Sequence, residues 1–135
     1  MKATVIILEV EEYKHNKLSR FFVGETRETY LKLKEKIDKL NNTFQNLFYL
    51  PIDIVGFSVE VAIHNKNYVL AKFIAEELYK CIVDSKPEAT VKIGIGYGEI
   101  TYLGKRLHHS NGPILIKVGR SIDNRKHGGI EIFED

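Results

Sequence analysis

Two stretches of this chain repeat their apolar residues at intervals of three and four, and each is framed by segments that alternate or run β-branched. In the first, Tyr30, Leu33, Ile37, Leu40 and Phe44 mark one face of a helix over 26–44, with Lys32, Lys34, Glu35, Lys36, Asp38 and Lys39 on the solvated side. In the second, Leu70, Phe73, Ile74, Leu78, Cys81 and Ile82 mark a helix over 66–84, with Asn65 as its cap. One-sided stripes need a sheet to cover, and the sequence supplies strands on either side of each helix. Ala3 to Val10 is β-branched and apolar. Leu47 to Ile54, interrupted by Pro51, turns at Gly56 into the alternating strand Phe57–Ile63. Ala89 to Gly98 is a fourth strand.

A third, shorter helix starts at Gly112-Pro113, where proline's missing donor costs nothing, and turns Leu115, Val118 and Ile122 inward. Ile130 to Phe133 closes the chain as a last strand. The order β-α-β-β-α-β, plus a C-terminal helix and strand, predicts an α+β fold with a ferredoxin-like sheet. The first and third strands should be central and adjacent, and the two long helices should share one face.

At 135 residues the chain is read as one domain, 1–135. A hydrophobic content of 44% with 28% charged residues is that of a folded protein. The lone cysteine, Cys81, excludes an intrachain disulfide and fits a reducing, cytoplasmic setting. The net charge of +2 argues against nucleic acid, whose binders carry a one-sided basic excess. Lys14, Lys17 and Arg20 with Phe21 and Phe22 would be the patch for such a role. No apolar run approaches a membrane span, and the N-terminal one lacks a small-residue cleavage site.

Chemistry concentrates in the fourth strand. Gly94, Gly96 and Gly98 fall on one face of it, and each glycine weakens a strand by about 0.5–1 kcal/mol. Either a flat or bulky ligand approaches the backbone there, or a helix or second subunit packs over it. Glu9 ends the first strand, and Asp53 lies near the hairpin turn. A ferredoxin-like sheet brings these regions together, so the two acids form either a carboxylate pair for Mg²⁺ or two exposed charges at strand ends. The five histidines lack zinc-like spacing and read as surface or loop residues.

The stretch Ile93-Gly94-Ile95-Gly96-Tyr97-Gly98-Glu99-Ile100, followed by Asn111-Gly112-Pro113 and a helix carrying Arg120, resembles class III nucleotide cyclase homology domains. The same pair of segments resembles the SatD family still more, over about residues 88–123. The resemblance implies a palm-like fold that binds a Mg-nucleoside triphosphate. It implies Glu9 and Asp53 as metal-holding acids and Gly94, Gly96, Gly98, Lys105, Arg106 and Lys117 as nucleotide-binding residues. Arg120 would be the catalytic arginine. The chain has Glu9 where that family has aspartate, and Ile116 where it has an asparagine four residues before the arginine. The implied function is nucleotide binding without turnover or with weak phosphoryl transfer. The alternative is a non-enzymatic module that homodimerises through the open sheet face beside Val5 and Ile7.

Overall fold

Strand β1 (Lys2–Glu11) occupies the middle of the molecule and is hydrogen-bonded along both edges. The computed structural model describes residues 1–11, 13–14, 17–18, 27–55, 58–125 and 127–133. The other elements are β2 (Tyr13–Lys14), β3 (Lys17–Leu18), α1 (Arg27–Phe44), β4 (Asp53–Val55), β5 (Ser58–His64), α2 (Tyr68–Ser85), β6 (Thr90–Glu99), α3 (Pro113–Asp123) and β7 (Gly129–Phe133). The main sheet runs β4-β5-β1-β6-β7. β1 is antiparallel to both β5 and β6, and β7 joins β6 in parallel. The first four of these strands have the ferredoxin-like order that the pattern predicts.

Alternation in β1 divides the core. Ile6, Leu8 and Val10 point with Val59, Val61, Ile63, Val91, Ile93 and Ile95 toward α1 and α2. Leu33, Ile37 and Leu40 of α1 and Ala71, Ile74, Leu78 and Ile82 of α2 complete that layer. The two long helices therefore share one face. Ala3, Val5 and Ile7 point the other way, against Ile114, Val118 and Ile122 of α3.

That third helix corrects several expectations. Its buried residues are Ile114, Val118 and Ile122, with Leu115 only partly covered, so its inner face starts one residue earlier than predicted. It also occupies the face on which a homodimer was expected. Val5 is fully buried and Ile7 is 5% exposed, so neither offers apolar surface to a second copy.

Three local readings also change. Asn65 does not cap α2; it takes the left-handed conformation (φ 67°), which asparagine tolerates. Asn67 caps instead, accepting from the Leu70 amide at 3.1 Å. Phe73 is 46% exposed, its ring edge-on to Phe44 at 6.1 Å. The small Ala71 and Ala75 face the sheet in its place, which lets α2 lie close. The expected strand over 47–54 shrinks to a 3₁₀ turn, a single bridge at Phe48 and the short β4. Asn41 accounts for this: its side chain donates to the Ile52 carbonyl (3.0 Å) and accepts from the Ile52 amide (2.8 Å), replacing ladder bonds next to Pro51. The long connection after β1 contains the small hairpin β2–β3. Arg20, Phe21, Phe22 and the turn residue Gly56 lie outside the described residues.

Candidate functional site

On its face of the sheet, α3 packs on β6 and β1. Ideal Cβ atoms built on Gly94 and Gly96 would lie 2.8 Å from the Val118 and Ile114 side chains, and one on Gly98 would lie 3.0 Å from Ile114. The glycine strip is therefore the groove in which α3 rests. It answers to helix packing and leaves no space for a nucleotide over β6, which corrects the ligand reading of Gly94, Gly96 and Gly98.

Beyond α3 the same face continues across β1, β5 and β4, and there it turns polar. Register places Asp53 opposite Glu60 and Glu60 opposite Ile7. One row further, Ser58 lies opposite Glu9, and Glu9 opposite Lys92. Residues directly paired across strands share a face, so Asp53, Ser58, Glu60, Glu9 and Lys92 form one strip. Over part of it lies the segment between β6 and α3, with a 3₁₀ turn at Leu107–His109. The cleft between them is lined by Asp53, Ser58, Glu60, Arg106, Leu107 and His108, and its free space is about 10 Å³. That is at the margin of what a single water occupies.

Each acid in the strip has a distinct environment. Asp53 makes an ion pair with Arg106 and accepts from the Ile54 amide at 2.8 Å. Glu60 has its carboxyl pushed up by burial, and the nearby His108 pulls it back down. Glu9 is pushed up from 4.5 to about 7, first by burial and then by the charge of Asp123 and a hydrogen bond to it. Lys92 is 4% exposed, and its ammonium donates to Glu11 at 2.9 Å.

Glu9 and Asp53 thus share a face but not a partner. They stand on strands either side of β5, about 10 Å apart across the sheet and about 7 Å along it. The structure does not bring them together as a metal-holding pair. Among the described residues no group of three or more His, Cys, Asp or Glu side chains is placed to hold a metal ion. Lys105, Lys117 and Arg120 are exposed, the last two on α3. Of the predicted phosphate contacts, Arg106 reaches the strip. Sequence reasoning missed Ser58, Glu60, His108 and Asp123. An acid in the interior of an alternating strand, as Glu60 is, was the available signal.

Of the histidines, His64 departs from a surface role: it is half-buried and packs against Tyr49, with ring centroids 3.8 Å apart and planes tilted by 43°. Cys81 is half-buried, and burial pushes its thiol up, so it behaves as a packing residue.

Comparison with solved structures places this architecture among nucleotide cyclases. The adenylyl cyclase CyaB from P. aeruginosa superposes with a TM-score of 0.63 at 14% identity, over 97% of this chain and 76% of that one. The monomeric guanylyl cyclase domain of the RhoGC fusion protein from the aquatic fungus Blastocladiella emersonii superposes with a TM-score of 0.55 at 14% identity, over 97% and 80%. No family profile matches the chain, and no curated protein does. The chain has the cyclase-like α+β fold, and at this identity the likeness is one of fold. No helix among the described residues is long and apolar enough to cross a membrane.

Proposed function

We propose that this chain is a cyclase-like domain that binds a nucleoside triphosphate at the polar strip beside α3. The observation that carries this reading is the strip itself. On a cyclase-like sheet, the part that α3 leaves uncovered presents Ser58, Glu60 and Asp53 beside Arg106, with Lys105 exposed next to it. Guanidinium and ammonium groups on one short segment suit phosphate oxygens. Arg120 and Lys117, on the exposed side of α3, would contact phosphate only at the margin of the strip. The G-I-G-Y-G-E strand and the Asn-Gly-Pro helix start support kinship with SatD-like chains within this fold.

The residues do not fit a resident Mg²⁺. Asp53 is already balanced by Arg106, and Glu9 shares a hydrogen bond with Asp123. Magnesium would arrive as the counterion of the triphosphate, held by phosphate and water oxygens. Weak or absent turnover is part of this reading, because Asp53 and Glu9 stand on strands either side of β5 and do not form one metal-ligand set.

Thermal shift against ATP, GTP and their cyclic products, with and without Mg²⁺, tests the proposal. Ligand at one hundred times its dissociation constant adds about 2.7 kcal/mol to native stability. A domain of this size should then melt several degrees higher. No shift with any of them at millimolar concentration overturns the reading in favour of a non-enzymatic interaction module.

A further inference from the structure

We propose that the segment 104–110 is a strap that holds the strip shut, with the Arg106–Asp53 ion pair as its latch and a polyphosphate as the group that releases it. The strap is built as a unit of its own. The Gly104 amide donates to Ser110 Oγ at 2.9 Å, and Ser110 Oγ donates to the Arg106 carbonyl at 3.1 Å. The amides of His109 and Ser110 close on Arg106 and Leu107, both at 2.9 Å. At its base, Tyr102 and Asn111 exchange backbone hydrogen bonds of 3.0 and 2.8 Å. None of these bonds crosses to the strip, so none of them holds the strap down, and once it lifts away from the sheet they lie open to water and fray.

Among the described residues, what crosses is little. Leu107, 6% exposed, is its one apolar anchor. Arg106 reaches Asp53, and His108 faces Glu60. Arg106 and Asp53 each keep 46% of their side-chain surface exposed, the situation in which an ion pair contributes least. With about 10 Å³ free between the strap and Asp53, Ser58 and Glu60, that cleft holds no more than a water, so a larger occupant of this part of the strip must displace the strap. Phosphate is the chemistry suited to do so. It offers Arg106 a bidentate partner of higher charge than one carboxylate, and Lys105 beside it adds a second cation. Moving Arg106 to phosphate leaves Asp53 unbalanced and the cleft open. The latch stands on geometry alone; only its release by polyphosphate rests on the nucleotide reading.

Amide hydrogen exchange on the full chain tests both parts. Arg106→Gln and Asp53→Asn should each speed exchange at Gly104, His109 and Ser110 by up to about fivefold, the contribution of an exposed pair. Amides of Val5 to Leu8 should stay unchanged. The charge swap Asp53→Arg with Arg106→Asp should restore slow exchange. Unchanged strap exchange in both single variants, or a swap that restores nothing, overturns the latch. Tripolyphosphate and Mg-ATP should each speed strap exchange in the parent but not in Arg106→Gln. If the variants loosen the strap while neither compound affects the parent, the latch stands and its release by phosphate is overturned. An effect of Mg-ATP alone assigns recognition to the nucleoside; an equal effect of tripolyphosphate assigns it to the phosphates.

Discussion

The two faces of the central sheet carry cores built on opposite plans. Toward α1 and α2, buried aliphatic side chains from three strands meet large aliphatic side chains from two helices. Toward α3, one strand gives up its side chains so that a single helix can lie almost on the backbone. The first plan gains stability from buried volume and the second from close approach. The two-helix layer buries the side chains of β1, β5 and β6 on its face. A single close-lying helix packs on β6 and β1 and leaves Ser58, Glu60 and Asp53 to the 104–110 segment, and the candidate site lies there.

If the faces differ in this way, opposite substitutions should damage them. On the α1–α2 face the largest effect comes from removing atoms. Ile37→Ala, at a fully buried position, should cost about 2–5 kcal/mol in chemical denaturation. A loss under about 1 kcal/mol would show that this layer is loosely packed. On the α3 face the damage comes from adding an atom. Gly96→Ala puts a methyl 2.8 Å from Ile114 and should cost about 1–3 kcal/mol. Its control is Gly119→Ala in α3, where the new methyl meets only Ile7, at 3.9 Å. That change should gain about 0.5–1 kcal/mol from helix propensity. Equal responses at the two glycines would erase the distinction between groove and helix back.

The smallest effect lies where the α3 face becomes polar. Glu9 holds its proton up to about pH 7 in the folded chain, whereas the unfolded chain releases it near 4.5. The native state therefore binds more protons between these values, and stability falls as the pH rises through that window. Glu9→Gln should flatten this part of the stability–pH profile. A profile unchanged by the substitution would mean that burial and the charge of Asp123 do not hold the proton on Glu9.

Much of the fold was legible because both helical stripes and the two-sided burial of β1 are written in residue spacing. The ferredoxin-like order follows from element order alone. The site was less legible, for reasons visible in particular residues. Three glycines on one face announce a close neighbour but not its identity, and α3 proved to be that neighbour. Asp53 reads as a metal ligand until Arg106, 53 positions away in sequence, is found against it. Glu60 and Glu9 look alike as acids on strands. Only the packing of α3 and the 3₁₀ turn decides that Glu9 meets Asp123 and Glu60 meets His108.

The central position of β1 also bears on how the chain acquires its structure. Its partners lie far along the sequence: Leu8 pairs with Val59 on one side and with Ile93 on the other. β1 therefore waits for some fifty residues before its first edge is covered and for more than eighty before its second. Closing loops of that length before any pairing rewards them slows folding. Throughout that interval an apolar strand presents an open edge to other chains. Productive folding should thus depend on how quickly β6 follows, and nascent chains stalled before residue 90 should be the species that chaperones hold.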